Sequence, residues 1–145
     1  CRLNGRHPEL IINYSNKPLP FHNTPKLILA HKMYGFPYID YEGTYGISNR
    51  DNYVIINRSH NHLKLLAAFL STTFCRYLFE ATRYRMKYLE KYIFQLLPDI
   101  TKLKHFPHVI NNNSIFSYFE LNHKERTFIQ QRHKIEKWHS TYAIL

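Results

Sequence analysis

The side chains best suited to chemical recognition lie in residues 48–52, Ser-Asn-Arg-Asp-Asn. Asn49 and Asn52 each carry an amide whose donor and acceptor match the edge of adenine, and the guanidinium of Arg50 matches the edge of guanine. Groups of this kind read a base sequence and do not transform it. Asn and Asp also favour turns for backbone reasons, so a plain surface turn is the alternative interpretation.

Basic and aromatic residues accompany this segment along the chain. The cations predicted to contact phosphates are Lys32, Arg50, Arg83, Arg85 and Lys87. Such contacts give affinity without sequence information and make binding depend strongly on salt. Tyr34 and Tyr45 lie among these cations and suit base stacking or groove contacts. The alternatives are a solvated charged face for the cations and ordinary core or boundary positions for the tyrosines.

Acidic and histidine residues raise the question of metal chemistry. Asp40, Glu42 and Asp51 form the acidic cluster that a metal-dependent nuclease would need to bring together. Residues 60–62 spell His-Asn-His, but three adjacent letters do not make the dispersed site of the nuclease with that name. His105 and His108 are a candidate ligand pair without a cysteine or carboxylate cluster beside them. We therefore predict no metal site.

The chain is short and basic, with 145 residues and a formal net charge of +10. One core of ordinary size is expected, and the charge favours a polyanionic partner, nucleic acid first. Cys1 and Cys75 offer neither a disulfide framework nor a zinc quartet, so a reducing intracellular compartment is predicted. This is the cytoplasm, or a viral factory or nucleus if the source is viral or eukaryotic. No signal peptide or apolar run of roughly 18 residues indicates a membrane.

The pattern of apolar and turn-forming residues predicts an α+β fold. Residues 1–25 read as an irregular lead-in with a short strand over 9–14, because proline and asparagine are frequent there. Residues 26–145 read as a single domain. Within it, 26–34 is a buried strand, and 36–57 a broken hairpin in which Pro37 excludes a central strand, Gly43 and Gly46 mark turns in a mobile loop, and 53–56 returns as a strand.

The remaining elements are mostly helical. Apolar positions from 63 to 81 recur at spacings of three and four and predict one long helix, capped by Ser59 or Asn61. Residues 92–97 favour a strand returning to the sheet, and 105–114 a loop. Asn122 and Glu125 approach a capping box that opens a final helix running to about Trp138. Together these features predict a small mixed or antiparallel twisted sheet braced by one long apolar helix, with a C-terminal helix.

The order of these segments resembles a known family. The segments PKLILAHKMYGFPYIDYEGTYGISNRDNYVII, LKLLAAFLSTTFCRYLFEATR, KYLEKYIFQLLPDI and SIFSYFELNHKERTFIQQ are similar to the C-terminal target-recognition region of adenine-specific type II DNA methyltransferases and their fused restriction enzymes. The resemblance covers about residues 26–133. It implies a strand with basic residues, a glycine-containing loop, a second strand and a leucine-rich helix. A segment that ends in an apolar residue and a proline would follow, and a tyrosine-phenylalanine-leucine motif would open the final helix.

The catalytic motifs of that family are missing from this chain. It has four glycines, no glycine-rich turn for S-adenosylmethionine and no Asn-Pro-Pro-Tyr motif for a flipped adenine. We therefore predict that the chain is not an enzyme by itself and holds no cofactor. S-adenosylmethionine is expected in the catalytic domain of a parent protein, and the start at Cys1 indicates a fragment of a longer chain.

These observations predict a sequence-specific module that binds double-stranded DNA for an adenine methyltransferase or restriction-modification enzyme. Its partners would be duplex DNA and a catalytic methyltransferase domain in cis or in trans, with no membrane. The first alternative is an RNA or single-stranded nucleic-acid binder that stacks bases on tyrosines. Two further alternatives are a small metal-dependent nuclease and a protein-interaction domain whose basic face binds an acidic partner.

Overall fold

The computed structural model describes residues 2–3, 10–31, 37–48, 52–83 and 88–132, and it has the predicted α+β architecture. Its strands are β1 (Arg2–Leu3), β2 (Leu10–Ile11), β3 (Lys26–Ala30), β4 (Pro37–Asp40) and β5 (Asn52–Ile55). Its α-helices are α1 (His60–Leu70), α2 (Thr73–Ala81), α3 (Ile93–Leu96), α4 (Asn112–Tyr118) and α5 (His123–Arg132), with a 3₁₀-helix at Ile100–Lys102. No described helix combines the length and apolar character required to cross a bilayer.

The main sheet is antiparallel, in the order β4-β3-β5. All five residues of β3 are buried, which fits the continuous apolar run that predicted this strand. Pro37 opens β4 at the sheet edge, where its missing N–H breaks no central ladder. Strand β5 confirms the strand predicted at 53–56, one residue earlier in the chain. Strand β3 covers residues 26–30 of the strand predicted at 26–34, of which 32–34 lie outside the described residues, and β2 covers two residues of the strand predicted at 9–14.

Both faces of the sheet are covered, because side chains alternate along β3. Leu27 and Leu29 point into the main core, which the helices build from residues such as Leu63, Phe69 and Phe79. Ile28 and Ala30 point the other way, into a smaller cluster with Ile47. Helices thus cover one face, and the loop between β4 and β5 covers the other.

The prediction of one long helix over 63–81 is wrong, since the segment divides into α1 and α2. Ser71 Oγ and Thr72 Oγ1 donate to the backbone carbonyls of Ala67 and Phe69, each at 2.7 Å. Thr72 is extended, and its hydroxyl accepts a hydrogen bond from the N–H of Cys75. Serine and threonine hydroxyls compete with helical backbone bonds in this way, so the chain turns although the apolar pattern continues.

Two shorter segments also differ from expectation. The strand predicted over 92–97 is wrong, since this segment contains α3, where Ile93 is buried while Gln95 and Leu96 are exposed. The loop predicted over 105–114 ends early, because Asn111 forms a capping box with Ser114 and α4 begins at residue 112. Three consecutive asparagines predicted a loop here, but the first of them, Asn111, is the N-cap of α4.

The cap predictions for the other helices are confirmed. Ser59 is the N-cap of α1 and accepts from the N–H of His62. At α5, the Asn122 N–H donates to Glu125 Oε2 at 2.8 Å and the Glu125 N–H donates to Asn122 Oδ1 at 3.0 Å. Such reciprocal bonds satisfy two backbone donors at a helix start. The predicted end near Trp138 lies outside the described residues.

Candidate nucleic-acid interface

A buried ion pair fixes the loop that covers the outer face of the sheet. Lys26 and Asp40 stand opposite each other on β3 and β4, and Lys26 Nζ lies 2.6 Å from Asp40 Oδ2. Lys26 is fully buried and Asp40 is 3% exposed. The ammonium also donates to the carbonyls of Phe21 and Thr24, at 2.9 and 3.0 Å. The lysine is thus well hydrogen-bonded, as a buried charge must be.

The Asp40 carboxylate also holds the backbone of the following loop. Oδ1 accepts from the N–H of Thr44 and Oδ2 from the N–H of Tyr45, both at 2.9 Å. Its two oxygens therefore bind one ammonium and two amides. This placement gives Asp40 a structural role and does not support the metal-ligand role that a nuclease would need. Within the described part of the chain, no group of three metal-ligating side chains comes together.

Gly43 and Gly46 let the loop approach the lead-in segment closely. Gly43 has φ of +69°, and a Cβ there would fall 2.4 Å from the backbone nitrogen of Thr24. A Cβ on Gly46 would fall 2.5 Å from Cβ of Leu19. Hydrogen bonds from the Asn23 N–H to the Gly43 carbonyl, at 2.8 Å, and from the Ile47 N–H to Pro20 fasten the two segments together. The loop is therefore held on both sides.

Between this loop and the lead-in lies a cleft of about 480 Å³, which we call the Tyr45 cleft. Its lining residues are residues 12–19, His22 and residues 44–46. Tyr14 at its edge is 98% exposed, and Lys17 and His22 are also exposed. An exposed aromatic ring and a lysine cation therefore line the same cleft as the loop that Asp40 anchors.

Tyr45 itself is only partly accessible. Its ring meets the ring of Tyr38 edge to face, with centroids 6.1 Å apart. Burial raises the pKa of Tyr38 above its ordinary value, and the neighbouring Tyr45 and Asp40 raise it further. The Tyr38 hydroxyl therefore stays neutral near physiological pH. Tyr45 is thus a partly buried wall of the cleft, and Tyr14 is its exposed ring.

Three of the predicted interface residues lie in the described part of the chain. Tyr45 lines the cleft, and Asn52 opens β5 opposite Ala30. Directly opposed residues of antiparallel strands share a face, so Asn52 lies on the same face as Ala30 and Tyr45. Asn52 is 9% exposed and presents little surface to a partner. The other predicted positions, Lys32, Tyr34, Asn49, Arg50, Arg85 and Lys87, lie outside the described residues.

Arg83 lies elsewhere in the molecule. It follows the C-cap of α2, in the helical layer that packs on the opposite face of the sheet, and it is half-buried. The structure thus places Tyr45 and Asn52 on the same face of the sheet and Arg83 in the layer on the other face. Sequence reasoning missed Tyr14, Lys17 and His22, because proline and asparagine marked their segment as an irregular lead-in. A tyrosine and a lysine three positions apart were the available signal.

The exposed charges of the described residues are predominantly positive. Exposed lysines and arginines are Lys17, Lys64, Lys91, Lys102, Lys104, Lys124 and Arg132, whereas the exposed carboxylates are Glu42, Glu120 and Glu125. The buried pair of Asp40 and Lys26 removes one charge of each sign from the surface and leaves this difference unchanged. The accessible surface of the described residues therefore carries a net positive charge, which has the same sign as the net charge of the whole sequence.

Comparisons with known proteins return no matching protein-family model and no matching curated protein or solved structure. The resemblance to target-recognition regions of adenine methyltransferases stays a prediction from the sequence motifs.

Proposed function

We propose that this chain is a nucleic-acid-binding module that recognises duplex DNA for a separate catalytic domain. The observation that carries the proposal is the excess of exposed lysine and arginine over exposed carboxylates, together with a net charge of +10. A surface of this sign concentrates a polyanion and releases its counterions on binding. In the full proposal the partner is an adenine methyltransferase or restriction-modification domain, which would hold S-adenosylmethionine and carry out the chemistry.

The Tyr45 cleft and the loop that covers the outer face of the sheet are the proposed reading surface. Lys17 at the Tyr45 cleft would contact phosphate, and the Asp40-anchored loop would keep its geometry fixed during binding. Asn49 and Arg50 follow this loop directly in the sequence and keep the base-reading role predicted for them. A loop held by buried hydrogen bonds loses little conformational entropy when it binds, which favours specific recognition.

Fluorescence anisotropy with a labelled duplex of about 20 base pairs tests the proposal. If about five phosphates are contacted, affinity should fall about 500-fold between roughly 50 and 200 mM salt, because the logarithmic slope is about −4.5. Lys17→Gln should reduce that slope by about 0.9, since one contact is lost. Lys104→Gln is the matched control, because Lys104 lies beside Leu103 and Tyr118 in the helical layer. Absence of binding at low salt would refute the proposal.

A single-stranded ligand is the second candidate, and the exposure of Tyr14 beside the Tyr45 cleft favours it. Stacking of a base on an exposed ring contributes about 1–3 kcal/mol by alanine substitution. Competition between unlabelled single strands and duplexes of equal length separates the two ligands. Preference for single strands, together with a loss of about tenfold or more in Tyr14→Ala, would favour the second candidate over the first.

A further inference from the structure

A second cavity lies on the helical side of the sheet, whereas the Tyr45 cleft lies at the loop on the other side. It has a volume of about 430 Å³ and opens between β5, α1 and the segment from α3 to Asp99. Aromatic rings of Tyr53, Phe69 and Phe94 line it. Ligand pockets in proteins typically measure about 300–1,000 Å³, so this cavity can hold a molecule of one or two rings. We call it the Arg58 pocket.

The aromatic walls of the pocket are fixed by their own contacts. Tyr53 donates its hydroxyl hydrogen to the carbonyl of Leu89 at 2.9 Å, and its ring meets that of Phe94 at a centroid distance of 5.4 Å. Phe69 is 1% exposed and packs edge to face on Phe106. A flat apolar molecule would therefore meet rings that are already in place and need little ordering on binding.

Cations gather at the polar end of this pocket. Arg58 Nη2 lies 3.1 Å from Asp99 Oδ2, and Lys102 Nζ lies 3.7 Å from the same oxygen. Lys91 is exposed and lines the cavity with Arg58 and Asp99, whereas Lys102 is not among the lining residues. The nearby carboxylates are Asp99 and Glu90, and Glu90 is close enough to contribute to the raised pKa of Tyr53, after burial. The charged lining residues are thus two cations, Arg58 and Lys91, and one carboxylate, Asp99, which leaves a net positive charge.

The Arg58 guanidinium is held in position and retains free donors. Asn57 has φ of +58°, a left-handed conformation that asparagine tolerates, and it turns the chain between β5 and α1. Arg58 Nη1 donates to the Asn57 carbonyl at 3.2 Å, while Nη2 is bound to Asp99. A guanidinium has five N–H donors. Nε of Arg58 is buried, and the side chain as a whole is 33% exposed, so the second hydrogens of Nη1 and Nη2 are the donors that remain for an external oxygen.

Asp99 is bound to the protein on its other side as well. Its Oδ1 accepts from Thr101 Oγ1 at 2.6 Å and from the Thr101 N–H at 3.2 Å, which caps the 3₁₀-helix. These bonds keep Oδ2 directed at Arg58, where it competes with any incoming anion. Removal of the charge on Asp99 would therefore release a cation without removing the cap.

We propose that the Arg58 pocket binds a small aromatic anion, with its ring against Tyr53 and Phe94 and its carboxylate or sulfonate at Arg58 and Lys91. Charge complementarity and the apolar walls together select this class over neutral arenes and over inorganic anions. Hydrogen bonds between ionised partners are roughly twice as strong as neutral ones, and Arg binds planar anionic groups through two of its donors. The proposal is independent of nucleic-acid binding.

Isothermal titration of the whole chain with naphthalene-2-sulfonate tests this site. We expect one molecule per chain, with affinity about tenfold or more above that for 2-naphthalenemethanol, which has the same ring system without the charge. Arg58→Gln should weaken sulfonate binding about tenfold or more and leave the alcohol unchanged. Asp99→Asn should strengthen sulfonate binding, because asparagine retains a capping oxygen but no longer competes as an anion.

Lys104→Gln is the matched control, since it removes the same charge without lining the pocket. Thermal melts establish that each variant is folded, and Lys91→Gln, at an exposed side chain, replaces Arg58→Gln if the latter does not fold. The proposal is overturned if the sulfonate does not bind, if the alcohol binds equally well, or if Lys104→Gln weakens binding as much as the pocket variants. Weaker binding by Asp99→Asn would equally contradict it.

Discussion

Replacement of Asp40 by alanine should be among the most destabilising single changes in the described part of the chain. The substitution leaves Lys26, which is fully buried, without its carboxylate, and it removes the acceptor of the Thr44 and Tyr45 amides. Removal of one partner from a buried ion pair costs about 3–5 kcal/mol, because the remaining charge is uncompensated. Domains of this kind have a total stability of about 5–15 kcal/mol, so the loss is a large fraction.

Urea unfolding followed by circular dichroism measures this effect. With a slope of about 2 kcal/mol per molar urea, the midpoint should fall by about 2 M. Glu42→Ala is the matched control, since it removes an exposed carboxylate two positions away and should change the stability by less than about 0.5 kcal/mol. The double variant Lys26→Met, Asp40→Ala should be more stable than Asp40→Ala alone. The reasoning fails if Asp40→Ala costs less than about 1 kcal/mol or if the double variant is the less stable one.

Three further outcomes follow from the same structure. Gly43→Ala should lower the unfolding temperature, because its φ is +69° and the methyl would meet a backbone nitrogen at 2.4 Å, whereas Thr44→Ala should not. Thr72→Ala should reduce the free energy of unfolding by about 1 kcal/mol through loss of the cap on Cys75, and Thr72→Ser should retain it. Burial raises the pKa of Tyr38, so the unfolded chain loses this proton first and stability should fall as pH rises above the ordinary tyrosine value of 10.0. Spectrophotometric titration should show a smaller high-pH component in Tyr38→Phe, and unchanged titration would contradict the shift.

The strands β3 and β5 could be predicted from the sequence because their signal is local. A continuous apolar run marked β3 as a central strand, and β-branched residues marked β5. The division of the long helix could not be predicted from periodicity, since the apolar spacing continues through residues 71 and 72. What breaks the helix is the hydrogen bonding of two hydroxyls, Ser71 and Thr72, which a hydrophobic pattern does not contain.

The candidate interface was predictable only in outline. Charge and tyrosine content indicated a nucleic-acid partner, and the position of Tyr45 beside two glycines indicated a loop. The carboxylate that anchors this loop was interpreted as a metal-ligand candidate, because Asp40 lies near other acidic residues in the sequence. Its actual partner, Lys26, is 14 positions away and is brought there by the register of two strands. The cleft depends on the same long-range packing.

The buried pair of Lys26 and Asp40 also constrains how this sequence can change. A substitution at either position alone leaves an unpaired charge in the interior, so each position restricts the residues tolerated at the other. Amino-acid substitutions at the two positions should therefore occur together, and a pair of charged residues should be replaced by a pair of neutral residues. Homologous chains would then show these positions covarying, although neither side chain reaches a ligand.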